Sequence, residues 1–141
     1  MPRQIVVDTS VLVAALRSRR GASFRLVSLI GKGRFDINVS VPLVLEYEDA
    51  TARIAREVGL TATDIDDLLD YICRVARRRR IFFLWRPFLR DSADDLVLEL
   101  AVESGADTIV THNLRDFGGA EQFGIDILTP GKFLRGIGEL R

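Results

Sequence analysis

Cysteine and histidine are nearly missing from this chain of 141 residues, which carries one of each, Cys73 and His112. A lone cysteine cannot close an internal disulfide, and one Cys with one His cannot furnish a structural zinc site. That composition fits a reducing, cytoplasmic setting. Net charge is missing too: 20 basic residues balance 20 acidic ones, so no global field draws the protein to nucleic acid and any such binding needs a local patch. The N-terminus shows no charged n-region followed by an apolar h-region, and no apolar run reaches membrane-spanning length, so no membrane partner is expected. There is no internal repeat, linker or low-complexity segment. The first strand is not followed by a glycine-rich phosphate loop, which counts against an unrelated nucleotide-binding α/β protein.

What is present is a hydrophobic content of 48%, enough to pack a core, and a length that reads most simply as a single domain over residues 1–141. The chain is organised around Ile5-Val6-Val7-Asp8-Thr9-Ser10, a β-branched run ending on a carboxylate and passing into the helix-like Val11–Leu16. In an open α/β sheet, ligands bind at such a strand end. Asp8 is either a functional carboxylate there or a helix N-cap, for which Asp is also favoured.

Downstream, Arg17-Ser18-Arg19-Arg20-Gly21 makes a basic corner, and Ser23 is placed to cap a helix carrying Phe24, Val27 and Ile30 at helical spacing. Phe35, Ile37 and Val39 alternate with polar residues as a strand does. Pro42 suits the first turn of a helix whose buried stripe is Leu43, Tyr47, Ala50 and Ile54. Glu46 falls on the margin of that stripe, whereas Glu48 and Asp49 point away. Thr61 to Asp64 resembles a capping box opening a helix with Ile65, Leu68, Leu69, Ile72 and Val75 along one face. Arg77-Arg78-Arg79-Arg80 reads as the solvated, dipole-complementing end of that helix or as a patch for phosphates or an acidic partner. Ile81–Trp85 reads as a strand buried on both faces, stopped by Pro87, with Phe82, Phe83 and Trp85 in the core.

After Arg90-Asp91-Ser92, a helix runs to Ser104 before Gly105, with Val97, Leu98, Ala101 and Val102 inward and Glu99 and Glu103 opposite. Asp94 projects at the centre of the apolar stripe in the first turn and Asp95 at its edge. Asp107–Thr111 is a further strand, followed by polar His112–Phe117, then a strand at Ile125–Leu128 and a helix opened by Thr129-Pro130.

Alternating strands and helices imply a three-layer α/β/α fold around a mostly parallel sheet of about five strands. If the strands ending at Asp8 and Thr111 are neighbours, Asp8, Glu46, Asp94 and Asp116 can gather in one crevice. Carboxylates about 4 Å apart repel by about 4 kcal/mol per pair at an effective dielectric of 20. The acids are therefore either spread apart or held by a cation. Oxygen donors without His or Cys select a hard ion, Mg²⁺ or Mn²⁺.

Four features in order carry a family resemblance over essentially the whole chain: Asp8 ending strand one; Ser40 followed six residues later by Glu46; Asp94-Asp95 opening a helix that runs to Gly105; and Val110-Thr111-His112-Asn113-Leu114-Arg115-Asp116-Phe117. The sequence resembles PIN domains, above all the VapC-like toxins of toxin-antitoxin pairs. The resemblance implies a Mg²⁺- or Mn²⁺-dependent endoribonuclease. It implies that Asp8, Glu46, Asp94 and Asp116 are catalytic and metal-binding, that Asp95 is an additional ligand, and that Thr9, Ser10 and Asn113 support them. Two departures are Ala93 and Asn113, at positions where many relatives carry acids. Asp8, Glu46 and Asp94 would hold one ion, with Asp116 helping a second. The implied partners are an RNA substrate, a cognate antitoxin and a second copy in a homodimer. Arg19, Arg20 and Arg77 to Arg80 are candidate contacts for RNA or antitoxin. The competing reading is a PIN scaffold that serves as an interaction module with weak or no catalysis.

Overall fold

The structure, a computed structural model, describes residues 2–80, 89 and 92–140. In chain order the elements are β1 (Arg3–Val7), α1 (Thr9–Arg17), α2 (Ala22–Ser28), β2 (Phe35–Val39), α3 (Val41–Ile54), α4 (Ala62–Val75), β3 (Arg77–Arg78), α5 (Ser92–Ser104), β4 (Thr108–Val110), β5 (Asp126–Leu128) and α6 (Pro130–Gly136). Two 3₁₀ turns, Leu114–Phe117 and Ala120–Phe123, lie between β4 and β5. All five strands are parallel, in the order β3-β2-β1-β4-β5. Chain direction across the sheet reverses between β1 and β4, which pair with Val7 opposite Val110. A crevice opens at the carboxyl ends of strands at such a switch point. Helices flank the sheet on both faces, as the α/β/α expectation requires.

Apolar periodicity accounts for most of this. The β-branched residues Ile5, Val6 and Val7 are buried, as are Ile109 and Val110 beside them. On α3 the buried residues are Leu43, Tyr47, Thr51 and Ile54; Ser40 accepts from the Leu43 N–H at 3.3 Å and Pro42 fills the first turn. The capping box is formed, with Thr61 Oγ1 accepting from Asp64 N at 3.1 Å and Asp64 Oδ2 accepting from Thr61 N at 2.8 Å. The Thr61 backbone N–H that donates to the carboxylate, with the Thr61 side chain adding to it, holds the Asp64 carboxyl below its ordinary pKa.

Four local expectations are corrected. Gly21, not Ser23, occupies the N-cap of α2; Ser23 is buried inside the helix with Leu26, while Phe24 faces outward. Ala50 yields its inward place to Thr51, whose hydroxyl donates to Tyr47 O and thus needs no outside partner. Glu99 is buried rather than turned to water, because α5 lies against β1, β2 and β4 and also against α3. The arginine run is not a helix end: α4 stops at Val75, Ala76 is extended, and Arg77–Arg78 pair with Asn38–Val39 as the edge strand β3. Side chains on β2 favour that course, since Asp36 accepts from Arg77 and Asn38 accepts from Arg79 Nε at 3.1 Å. The expected strand at 81–85, its stop at Pro87, and Arg90 and Asp91 lie outside the described residues.

Candidate active site

At the carboxyl edge of β1, the chain turns directly into α1, which puts Asp8 at that helix's N-cap position. Its carboxylate makes no capping hydrogen bond. Instead Asp8 Oδ2 accepts from Ser10 Oγ at 2.7 Å and from Thr111 Oγ1 at 2.8 Å. Each hydroxyl gives its one proton to the carboxylate and turns its lone pairs to the β4 loop: Ser10 Oγ accepts from His112 N at 3.2 Å, and Thr111 Oγ1 from Asn113 N at 3.0 Å. The Asp8 N–H in turn donates to Val110 O at 2.9 Å. The N-cap alternative for Asp8 therefore gives way to a carboxylate fixed across the switch point, with one oxygen saturated and no bond to the other among the described residues.

Behind it stands Tyr47, buried on α3, whose hydroxyl donates to Val7 O, the carbonyl preceding Asp8. Burial raises the pKa of this phenol far above its ordinary value, and the negative charge of Asp8 adds to the rise. Tyr47 is thus a neutral prop for the strand end across the whole working pH range.

Asp8, Thr9, Ser10, Glu46, Asp94, Asn113 and Asp116 line one open cavity of about 310 Å³, with Val13 and Ala93 completing its wall. The helical margin of α3 brings Glu46, the first turn of α5 brings Asp94, and the 3₁₀ turn after β4 brings Asp116. All four expected acids and three expected supporting residues meet there. Asp95 is not in that lining; its Oδ1 accepts from Leu89 N at 2.9 Å. Neither arginine set lines the cavity. Arg78, Arg79 and Arg80 border a larger, more apolar hollow of about 500 Å³ with Val41, Leu45 and Cys73, and Arg19 and Arg20 border another behind α2. Thr111 was not singled out as a site residue; the signal was a hydroxyl at the end of the strand adjoining β1.

Among the described residues, no three His, Cys, Asp or Glu side chains converge as a ready-made metal shell. The carboxylates form the walls of a crevice, as like charges favour when they stand apart. The donor set still fits a hard divalent ion. Every polar group in it is an oxygen or an amide, and Mg²⁺ commonly takes only one or two carboxylates directly while keeping several waters. Thr9 Oγ1, on a residue of the cavity wall, is buried with no hydrogen-bond partner among the described residues, an orphaned polar atom beside the acids.

Comparison with known proteins agrees with this architecture. The profile of the PIN domain matches residues 4–115, a stretch that contains Asp8, Glu46, Asp94 and Asn113 and stops one residue before Asp116. Among solved structures, the chain is similar to one from a VapBC2 complex of Rickettsia felis bound to a DNA fragment from their promoter. The TM-score is 0.58 at 14% identity, over 89% of this chain and 98% of that one. No curated protein sequence matches the chain.

Proposed function

Because the chain belongs to the PIN-domain family, whose members are nucleases, we propose that it is a divalent-metal-dependent endoribonuclease acting as the toxin of a toxin-antitoxin pair. The observation that carries this reading is the convergence of Asp8, Glu46, Asp94 and Asp116 on one crevice at the switch point. Oxygen-only donors select Mg²⁺ or Mn²⁺ over zinc. A hard cation bound there supplies Lewis acidity and lowers the pKa of a coordinated water. The protein's own part is to hold the reactants. Asp8, in the cavity lining, is locked through one oxygen by two hydroxyls; Glu46 and Asp94 close the side toward α3 and α5; Asp116 and Asn113, both exposed, form the side from which a phosphodiester would enter. Thr9, Ser10 and Asn113 support these acids from the same lining. No covalent nucleophile is required.

The likeness to a chain of a VapBC assembly supports a cognate antitoxin as partner, and the RNA substrate follows from the toxin reading. Asp95 we assign to fixing the entry of α5 through Leu89 rather than to the ion.

Calorimetric titration with Mn²⁺, beside Asp8→Asn and Asp94→Asn, tests the proposal. Saturable binding by the wild type, lost in both variants, is the expected result. Absence of binding at millimolar metal, with and without RNA, would transfer the chain to the interaction-module reading.

A further inference from the structure

We propose that the pocket behind α2 is a subsite for one nucleotide of single-stranded RNA, its base stacked on Phe24 and its phosphate held by Arg19 and Arg20. This rests on the ribonuclease reading above and extends it to how the strand is held away from the cut. The pocket measures about 450 Å³ and is lined by Arg19, Arg20, Phe24, Arg25, Ser28 and Leu140. Phe24 is 38% exposed on a helix whose opposite side is sealed by Ser23 and Leu26. Ser28 Oγ donates to Phe24 O at 2.7 Å and steadies the turn that presents the ring.

Only part of the charge in the pocket is spent internally. Arg25 is neutralised by Glu139 at 2.9 Å, the same carboxylate that takes Arg34 at 2.6 Å. Arg19 and Arg20 have no carboxylate partner among the described residues. In a chain of zero net charge, this is a local cationic site beside an exposed aromatic face. An aromatic platform next to cations is the arrangement by which single-stranded nucleic acid is held without sequence readout.

The pocket is also coupled to the crevice. Between the lining residues Ala22 and Phe24, Ser23 turns inward, its Oγ 2.6 Å from His112 Nε2. The backbone N–H of His112 donates to Ser10 Oγ, which donates to Asp8. The helix that lines the pocket is therefore tied through a chain of hydrogen bonds to the Asp8 carboxylate.

Anisotropy of a labelled single-stranded RNA, measured with wild type in EDTA so that nothing is cut, provides the test. Phe24→Ala and Phe24→Leu should each weaken binding by about 5- to 160-fold, and an abasic oligonucleotide should not notice either change. The double variant Arg19→Ala/Arg20→Ala should weaken both ligands and shallow the salt slope by about 0.7, the value for one lost phosphate contact. All three positions lie on the surface, and circular dichroism checks that each variant is folded. Wild-type affinity in every variant, or no RNA binding by the wild type, overturns the subsite. So does polyglutamate that displaces RNA equally from wild type and Phe24→Ala, which would reassign the pocket to an acidic protein partner. Adding Mn²⁺ to the same samples separates the two readings. Binding that depends on Phe24 without cleavage counts against the crevice alone; cleavage with binding indifferent to Phe24 and both arginines counts against the subsite alone.

Discussion

Replacing Thr111 by Val isolates the contribution of one hydroxyl to the crevice. Thr111 is fully buried, and its Oγ1 both donates to Asp8 Oδ2 at 2.8 Å and accepts from Asn113 N at 3.0 Å. Valine keeps the branched shape and removes both bonds. A hydrogen bond to a charged group contributes about 1.5–3 kcal/mol. The Asn113 N–H adds less, because that residue is exposed and water can replace its acceptor. A loss of about 2 kcal/mol is therefore expected. With an unfolding entropy of about 2.1 cal/mol/K per residue, that corresponds to a fall in Tm of about 7 °C.

The functional effect follows separately. Loss of a partner that orients a metal ligand typically costs 10- to 100-fold in metal affinity or activity, so the Mn²⁺ isotherm should shift by that factor while Thr111→Ser stays near wild type. Ser10→Ala removes the other hydroxyl on the same oxygen. Because the two donors share Oδ2 and lie 3.4 Å apart, their effects should be non-additive in a double-mutant cycle. Thr111→Val with unchanged Tm and unchanged Mn²⁺ affinity would refute the view that these hydroxyls set the Asp8 carboxylate.

Tyr47→Phe leaves Val7 O short of a buried donor and should cost about 1–3 kcal/mol in urea unfolding; a cost under 0.5 kcal/mol would show that the strand end needs no such prop. Gly31 has φ +82°, and an added Cβ would stand 2.5 Å from the Tyr71 hydroxyl, which itself donates to Ile30 O. Gly31→Ala should therefore destabilise by about 1–2 kcal/mol from the left-handed backbone alone, and thermal melts check it. Asp64 has a folded-state pKa below its unfolded one, so its contribution is present above the ordinary carboxylate range and fades as pH falls through the folded value. The Tm gap between wild type and Asp64→Ala should be open at neutral pH and close in acid.

The acids were legible because each lies where a local period meets a chain landmark. Asp8 ends a β-branched run, Glu46 sits on the margin of a helical stripe, and Asp94 falls on the apolar side of a first turn; the fold carries all three to one edge. What was not legible depended on neighbours distant in sequence. Ser23 looks like a cap until His112 arrives from 89 residues away. Four consecutive arginines look like a solvated helix end until Asp36 and Asn38 offer them a strand to pair with. Glu99 looks outward on a helical wheel, but a wheel cannot show that α3 covers its second side.

The same contrast explains the site's uneven construction. Asp8 is over-determined, with two hydroxyls, the Val110 carbonyl that accepts from its N–H and a buried phenol fixing the strand end. Asp116 rides on an exposed 3₁₀ turn of four residues, and among the described residues no three acids share a common shell. Holding four like charges rigidly together without a counter-ion would cost several times about 4 kcal/mol, a large share of the total stability of about 5–15 kcal/mol available to a domain. Fixing one carboxylate and leaving the rest on the rim avoids that cost in the free protein. A divalent cation held in this crevice would therefore rely most on Asp8, the one carboxylate fixed in place, and less on the acids of the rim. Asp8→Asn should therefore abolish Mn²⁺ binding, whereas Asp116→Asn should weaken it and leave the isotherm saturable.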